Sequence, residues 1–284
     1  MPYLFVAPTV LALAFLMVYP IGRLLQFSLF DNLMVKRNAR LVWGENFASL
    51  LGDKVFWLSL TNTVVFTVAS VTLHLLLGIA LALLLNQKLN PVVRSAFRGI
   101  LILPWMFTAA VVAINWRLIL HPLGVLNGIL VMGGLVNPAN PVNWLGEPDL
   151  AMPALVLVNL WRGYPFIMLM LLAGLQGIPA ELYEAGAVDG AGNWSLFRHI
   201  TLPGLKPVIM SVGLLDAIWN FRLFDLVYLT TGGGPMNQTQ VLATYIYRLA
   251  FESFEFGKAS ALSMVVLAFT LILAAGYLRY QKAS

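Results

Sequence analysis

Long apolar stretches without charges constrain the fold of this chain more than any other feature of its sequence. Residues 1–22 and 55–87 contain no Asp, Glu, Lys or Arg. A helix needs about 20 such residues to cross a hydrocarbon core about 30 Å thick. Only 10% of the 284 residues are charged, against roughly 25% in an ordinary soluble domain. The sequence therefore predicts a membrane protein, and helices are expected because lipid cannot satisfy the open edge of a sheet.

The apolar pattern predicts an all-α polytopic domain over residues 1–284, with about six transmembrane helices. The expected spans are 3–27, 58–85, 99–119, 150–176, 207–230 and 259–279. Charges fall inside the fourth span, at Arg162, and inside the fifth. The first span could instead be a cleaved signal peptide, but it lacks the basic start of a signal. Basic residues in the connecting segments do not favour either orientation.

The sequence offers no site for chemistry. It contains no cysteine, so disulfides and thiolate metal sites are excluded, and its three histidines are widely separated. His74 is interpreted as a packing residue, with a gating role as the alternative. The pair Gly257 and Lys258 resembles the end of a phosphate loop, but Glu252 and Ala259 stand where a glycine and a hydroxyl are needed. We therefore predict a chain that is not an enzyme and holds no metal or cofactor.

The segment 179–206 has a different character, because it is amphipathic and lies between two spans. Pro179 precedes a predicted helix whose first turn carries Glu181, where the helix dipole favours a carboxylate. Asp189 and Gly190 predict a turn. A second short helix should follow, with an apolar face formed by Leu196, Phe197 and Ile200 and with Leu202 and Pro203 at its end. Such a water-facing helix-turn-helix is predicted to dock a soluble partner.

The same segment resembles a known motif. The residues that carry the resemblance are Glu184, Ala185, Gly186, Ala187, Val188, Asp189, Gly190, Ala191, Phe197, Ile200, Leu202, Pro203 and Pro207. They are similar to the EAA loop of permease subunits in binding-protein-dependent ABC importers. The resemblance implies a cytoplasmic coupling helix that sits in a groove of the ATPase. Gly186 replaces the usual second alanine, which should loosen the helix by up to about 1 kcal/mol.

A second block resembles the carbohydrate permeases of the maltose and glycerol-phosphate type. It comprises residues 224–225, 228–230, 232–235, 239, 242, 245–247, 250–251 and 257, and shorter matches lie at 62–63, 104–105, 161–162, 165–166 and 172–176. The resemblance implies a sugar substrate, an oligosaccharide, disaccharide or glycoside. Glycerol phosphate or a polyamine remains an alternative.

The resemblance also implies an assembly. The expected partners are a second homologous permease, two ATPase subunits that bind ATP and Mg, an extracytoplasmic sugar-binding protein and membrane lipid, without nucleic acid. The implied location is the cytoplasmic membrane of a bacterium or archaeon.

Polar and aromatic residues inside the spans are candidates for the substrate path, because such groups are costly unless they face protein or water. The candidates are Arg162, Asp216, Trp219, Asn220, Phe221, Arg222, Asp225 and Tyr228. Asp216 and Asn220 are four residues apart and share a helix face, whereas Arg222 and Asp225 are three apart and are expected to pair. Arg162 either lines the cavity or pairs with Asp216.

Two other classes of membrane protein share some of these sequence features. An aquaporin-like channel has six spans and an Asn-Pro-Ala tripeptide such as residues 137–139, but it needs two of them. A secondary transporter commonly has internal repeats or twelve spans, and neither is evident. A secondary transporter would also not require the loop at 184–203.

Overall fold

The computed structural model describes residues 2–87 and 90–283, and within them the regular secondary structure is helical. Thirteen α-helices fall in this part of the chain: α1 Pro2–Ser28, α2 Glu45–Leu51, α3 Lys54–Leu85, α4 Pro91–Met106, α5 Ala109–Ile119, α6 Val125–Met132, α7 Pro148–Gln176, α8 Ala180–Val188, α9 Asn193–Leu196, α10 Leu202–Phe221, α11 Asp225–Thr230, α12 Leu242–Tyr247 and α13 Phe256–Ala283. Two π-helical segments, Phe197–Thr201 and Arg248–Glu252, precede α10 and follow α12.

Five helical segments in the described part of the chain are long and apolar enough to cross a membrane. They are Phe5–Ser28, Lys54–Leu85, Pro148–Gln176, Asn193–Phe221 and Phe256–Arg279, and the bent pair α4 and α5 supplies a sixth if it counts as one span. The prediction of an all-α polytopic membrane protein is therefore confirmed.

Glycines set the spacing of the three helices at the centre of the bundle. A Cβ on Gly78 of α3 would lie 2.9 Å from Ile167 of α7, so the two backbones approach closely. A Cβ on Gly174 of α7 would lie 2.9 Å from Val208 of α10. Small residues permit such close packing between membrane helices. Together with the contacts of Asn159 with Ser70 and with Asn220, these close approaches show that α3 and α7 run in the same direction and that α10 runs opposite to both.

The predicted span 99–119 is interrupted in the structure. Helix α4 ends at Met106, α5 begins at Ala109, and their axes are bent by 96°. Between them, Phe107 and Thr108 are extended, and the Thr108 hydroxyl accepts a hydrogen bond from the amide of Val111. Thr108 thus starts a new helix as an N-cap, which the apolar pattern by itself did not reveal.

The predicted span 207–230 is also divided. Helix α10 ends at Phe221, where Arg222 leaves the helical geometry, and α11 begins at Asp225. The Asp225 carboxylate accepts a hydrogen bond from the amide of Leu226 at 2.9 Å, and a carboxylate in the first turn is favoured by the free amides and the dipole of the helix. The predicted single helix is therefore a long helix followed by a short one.

The expectation that Leu202 and Pro203 end a helix is wrong. Helical structure runs on from Asn193 to Phe221 through the π-helical segment Phe197–Thr201. Proline disrupts an α-helix because it lacks an N–H group and its ring clashes with the carbonyl four residues earlier. A π turn is wider than an α turn, and its position just before Pro203 relieves that clash.

Candidate functional site

A cavity of about 260 Å³ opens near the middle of the bundle. Helices α3, α4, α7, α10 and α11 and the turn before α11 contribute its walls. The lining residues are His74, Trp105, Asn159, Arg162, Gly163, Phe166, Asp216, Trp219, Asn220, Leu223 and Asp225. Five of the eight predicted path residues are therefore brought together in one cavity, from the three helices α7, α10 and α11.

The polar wall of the cavity is built around a buried pair, His74 and Asp216. Nδ1 of His74 lies 2.8 Å from Oδ2 of Asp216, and Nε2 lies 3.1 Å from the carbonyl oxygen of Asn159. A carbonyl oxygen only accepts, so Nε2 carries a hydrogen. The contact with the carboxylate requires one more proton, on Nδ1 or on the carboxyl group. In either arrangement the pair is neutral overall, which lowers its cost in an apolar bundle.

Two asparagines extend this pair into a network across three helices. The amide nitrogen of Asn159 donates to Oγ of Ser70 at 2.9 Å and to Oδ1 of Asn220 at 2.7 Å. The amide nitrogen of Asn220 donates to Oδ1 of Asp216 at 2.8 Å. All of these groups are buried. The network therefore fixes α3, α7 and α10 relative to one another at the depth of the cavity.

Gly163 provides the space in which the His74 ring sits. A Cβ at position 163 would lie 2.3 Å from Nε2 of His74. Neither Gly163 nor Asn159 was among the predicted site residues. Asn159 could have been recognised from the sequence, because it is a polar residue in a mostly apolar span. Gly163 could not, because glycine is common in membrane helices.

The charged residues pair differently from the prediction. In the structure Arg162 lies beside Asp225, with Nη2 4.0 Å from Oδ2. The expected pair of Arg222 with Asp225 is therefore wrong, and so is that of Arg162 with Asp216, whose carboxylate is engaged by His74 and Asn220. The Arg162 and Asp225 side chains are 27% and 50% exposed. An exposed pair of this kind contributes only about 0–1 kcal/mol, so both groups are available to a ligand.

Aromatic rings form another part of the wall. The Trp219 ring centroid lies 5.1 Å from that of Phe166, which in turn lies 5.7 Å from Trp105. Trp219 is 43% exposed. The cavity thus combines flat apolar faces with hydrogen-bonding groups, and sequence reasoning had identified only Trp219 among these rings.

Three predicted path residues lie outside this cavity. Phe221 is buried beside Leu242 and Tyr245 and packs against Phe269, so it belongs to the core. Arg222 is exposed and lines a neighbouring cavity. Tyr228 joins a second group of aromatic rings near α12.

A hairpin of α8 and α9 joins α7 to α10 at one end of the bundle. Helix α8 buries none of its residues, and the apolar side chains of Leu182, Val188 and Trp194 are at least half exposed. Exposed apolar groups at this density indicate an interaction surface. Among the predicted docking residues, Glu184, Ala185, Asp189, Gly190, Leu202 and Pro203 are exposed, and Gly186, Ala191, Phe197 and Ile200 are half-buried.

Two glycines explain the shape of the hairpin. Gly190 has φ +76°, and the amides of Gly190 and Ala191 donate to the carbonyls of Ala187 and Gly186. This is the Schellman arrangement, in which a left-handed residue ends a helix. A Cβ on Gly186 would lie 2.7 Å from Leu196. The glycine that departs from the usual alanine therefore lets α8 pack closely on α9.

Sequence comparison places the chain in a family. The family described as binding-protein-dependent transport system inner membrane component matches residues 74–282. The chain belongs to this family, and the predicted class, a permease subunit of a binding-protein-dependent ABC importer, is confirmed.

Several relatives that align over most of their length are permease proteins named for the sugars or glycosides they transport. The trehalose/maltose transport system permease protein of Thermococcus litoralis is 36% identical over 95% of this chain and 91% of its own length. The sulfoquinovosyl glycerol permease protein of Agrobacterium fabrum is 35% identical over 97% and 88%. The lactose permease protein of Rhizobium radiobacter is 34% identical over 95% and 90%.

A solved structure has the same fold over nearly the whole chain. It belongs to a bacterial ABC transporter that imports the acidic polysaccharide alginate, with a TM-score of 0.81 and 25% identity over 98% of this chain and 94% of that one.

Proposed function

We propose that this chain is the transmembrane permease subunit of an ABC importer that translocates a sugar. The observation that carries the proposal is the likeness, over at least 95% of the chain, to permeases named for trehalose or maltose, lactose and sulfoquinovosyl glycerol. The substrate class is an oligosaccharide, disaccharide or glycoside delivered by an extracytoplasmic binding protein.

The chemistry of the cavity supports a sugar. A pyranose ring presents apolar C–H faces and a rim of hydroxyl groups. Trp219 and Phe166 offer flat apolar surfaces, while Arg162 and Asp225 offer exposed donors and acceptors elsewhere in the same cavity. Binding sites of this kind are mostly apolar, with a few placed polar groups that set orientation.

The exposed hairpin of α8 and α9 is proposed as the ATPase docking element. Its apolar side chains would fit a groove, and Glu184, on the exposed face of α8, would pair with a basic residue of the partner. The position of the hairpin is consistent with this role. It lies at the end of the bundle, where α7 ends and α10 begins. On this proposal that end is cytoplasmic.

The remaining machinery is assigned to other subunits. ATP and Mg would be held by two ATPase subunits, while a second homologous permease would complete the pore. The assembly would reside in the cytoplasmic membrane of a bacterium or archaeon. The six proposed spans are α1, α3, the bent pair α4 and α5, α7, α10 and α13.

Affinity purification of the tagged chain from gently solubilised membranes tests the proposal. We expect a second permease and an ATPase to co-purify, and ATP hydrolysis to rise with one sugar plus its binding protein. The panel should contain trehalose, maltose, lactose and maltotetraose. Recovery of this chain alone, as a homo-oligomer that conducts without ATP, would contradict the importer and favour a channel.

A non-sugar or anionic cargo, such as glycerol phosphate, is the second candidate for the same architecture. Arg162 at the cavity and Arg222 beside it are the groups that would meet an anion. Replacing both arginines should then abolish transport of a sugar phosphate but spare neutral sugars. Unchanged affinity for the sugar phosphate would exclude this role of the arginines.

A further inference from the structure

A row of aromatic rings leads from the exposed loop region toward the cavity. Phe224 and Tyr228 are four residues apart on α11, and their rings stack with centroids 5.0 Å apart. Tyr247 of α12 lies 4.7 Å from Tyr228 and 5.3 Å from Phe224. Phe251, in the following π-helical segment, lies 5.1 Å from Tyr247. Phe224, Tyr228 and Tyr247 therefore contact one another, and Phe251 extends this group beyond Tyr247; the four rings are called the row below.

The row joins the cavity at its inner end. Phe224 and Trp219 line one neighbouring pocket, and Trp219 also lines the cavity described above. There Trp219 contacts Phe166. The row and the cavity therefore meet at the pocket that Phe224 and Trp219 share.

The outer end of the row is open and polar at its edges. Phe251 is 60% exposed, and Glu252 beside it is also exposed, as is Arg222 near the inner end. Charged side chains in contact with hydrocarbon are costly. Their position along the row indicates that it faces water rather than lipid.

The direction of α10 places the row on the side opposite the α8 and α9 hairpin. Helix α10 starts beside the hairpin and ends at Phe221, three residues before Phe224. If the hairpin is cytoplasmic, the row lies at the external end, where a sugar would enter.

We propose that Phe224, Tyr228, Tyr247 and Phe251 form an entry path along which pyranose rings stack on their way to the cavity. This inference rests on the proposed function for the nature of the cargo. The outward faces of these rings would contact the C–H side of a sugar, and Tyr228 and Tyr247 would add hydroxyl groups for its rim. The sugar would move from one ring to the next without binding tightly at any single ring, because stacking requires no fixed hydrogen-bond pattern.

Cysteine accessibility tests the path without knowledge of the cargo, because the natural chain contains no cysteine. Tyr228→Cys, Tyr247→Cys and Phe251→Cys are introduced singly into the whole importer in right-side-out membrane vesicles and treated with a membrane-impermeant maleimide. Asn137→Cys, in an exposed loop, and Leu262→Cys, in the core, are the controls. We expect all three row positions to react faster than Leu262→Cys. Reaction no faster than that control would overturn the path and place the row against lipid or the second permease.

The nature of the cargo is tested separately, with the sugar of the panel that stimulates ATP hydrolysis. Tyr247→Leu should raise the KM for uptake about two- to tenfold, as expected for the loss of one stacked ring, while Tyr247→Phe should stay near wild type. Equal uptake by Tyr247→Leu and wild type would overturn the stacking role even if the position is labelled. If no sugar stimulates hydrolysis, the proposed function fails, whereas the labelling result still decides whether the row is an aqueous path.

Discussion

His74 of α3 and Asp216 of α10 hold two membrane helices together through a contact of 2.8 Å between Nδ1 and Oδ2. Their positions are 142 residues apart in the sequence, and both side chains are buried. The contact lies on the wall of the cavity, so the geometry of the candidate path depends on it.

We predict that His74→Leu and Asp216→Leu each destabilise the protein by roughly 3–5 kcal/mol, because each leaves a buried partner without compensation. The double variant should be less destabilised than either single one, since both polar groups are gone. Thermal unfolding of the purified importer measures this. Asp149→Ala, at an exposed position at the start of α7, is the control and should lose no more than about 1 kcal/mol. Single variants as stable as this control would contradict a structural pair.

Gly163→Ala is predicted to displace the His74 ring. The added Cβ would lie 2.3 Å from Nε2, and overpacking of this kind costs about 1–3 kcal/mol. Gly99→Ala in α4 is a matched control, because nothing lies within 4 Å of its Cβ. We expect a lower unfolding temperature and slower substrate uptake for Gly163→Ala alone. Similar behaviour of the two variants would show that the close approach does not matter.

Gly190→Val is predicted to uncouple ATP hydrolysis from substrate. Valine is strained at φ +76°, so the end of α8 must change shape. Substrate-stimulated hydrolysis by the assembled complex should fall, and so should that of Glu184→Lys, while membrane insertion persists. Gly192→Ala is the control, since Gly192 has φ −74° and open space around its Cβ. Normal stimulation in both Gly190→Val and Glu184→Lys would mean that the docking surface lies elsewhere.

Alkaline pH should weaken a contact outside the membrane spans. The Tyr245 hydroxyl donates to the Asp53 carboxylate, and burial together with this bond raises the pKa of Tyr245. An unfolded tyrosine ionises near pH 10. The stabilisation is therefore complete below about pH 10 and is lost as the pH rises toward the higher pKa of the folded state.

The Tyr245→Phe variant isolates this effect. It should be less stable than wild type at pH 7, by about 1–3 kcal/mol, and the difference should shrink above about pH 10. Unfolding temperatures of both proteins at pH 7–11 measure it. A difference that does not change with pH would contradict the titration of Tyr245.

The spans and the family could be predicted from the sequence, because both rest on local patterns. An apolar run of sufficient length is unstable in water wherever it folds, and the resemblance at Glu184 to Pro203 lies within one segment. The sequence similarly predicted the turn at Asp189 and Gly190, although its left-handed geometry came only from the structure. These features need no knowledge of what packs against them.

Other features depended on contacts between distant segments. The sequence pattern suggested Arg222 as the partner of Asp225 because the two are three residues apart, but the helix breaks between them and the side chain of Arg162 on α7 lies beside Asp225 instead. Likewise His74 could not be assigned to Asp216, since helical periodicity gives the face of a residue and not the helix it meets.

The sequence by itself thus determined that the chain spans a membrane, that it is helical, and that it belongs among importer permeases. Only the tertiary structure decided which polar groups meet, where α4 bends into α5, and which rings line the cavity. The physical reason is that hydrophobic length and local turn chemistry act on each segment alone, whereas buried polar groups choose partners only after the helices have packed.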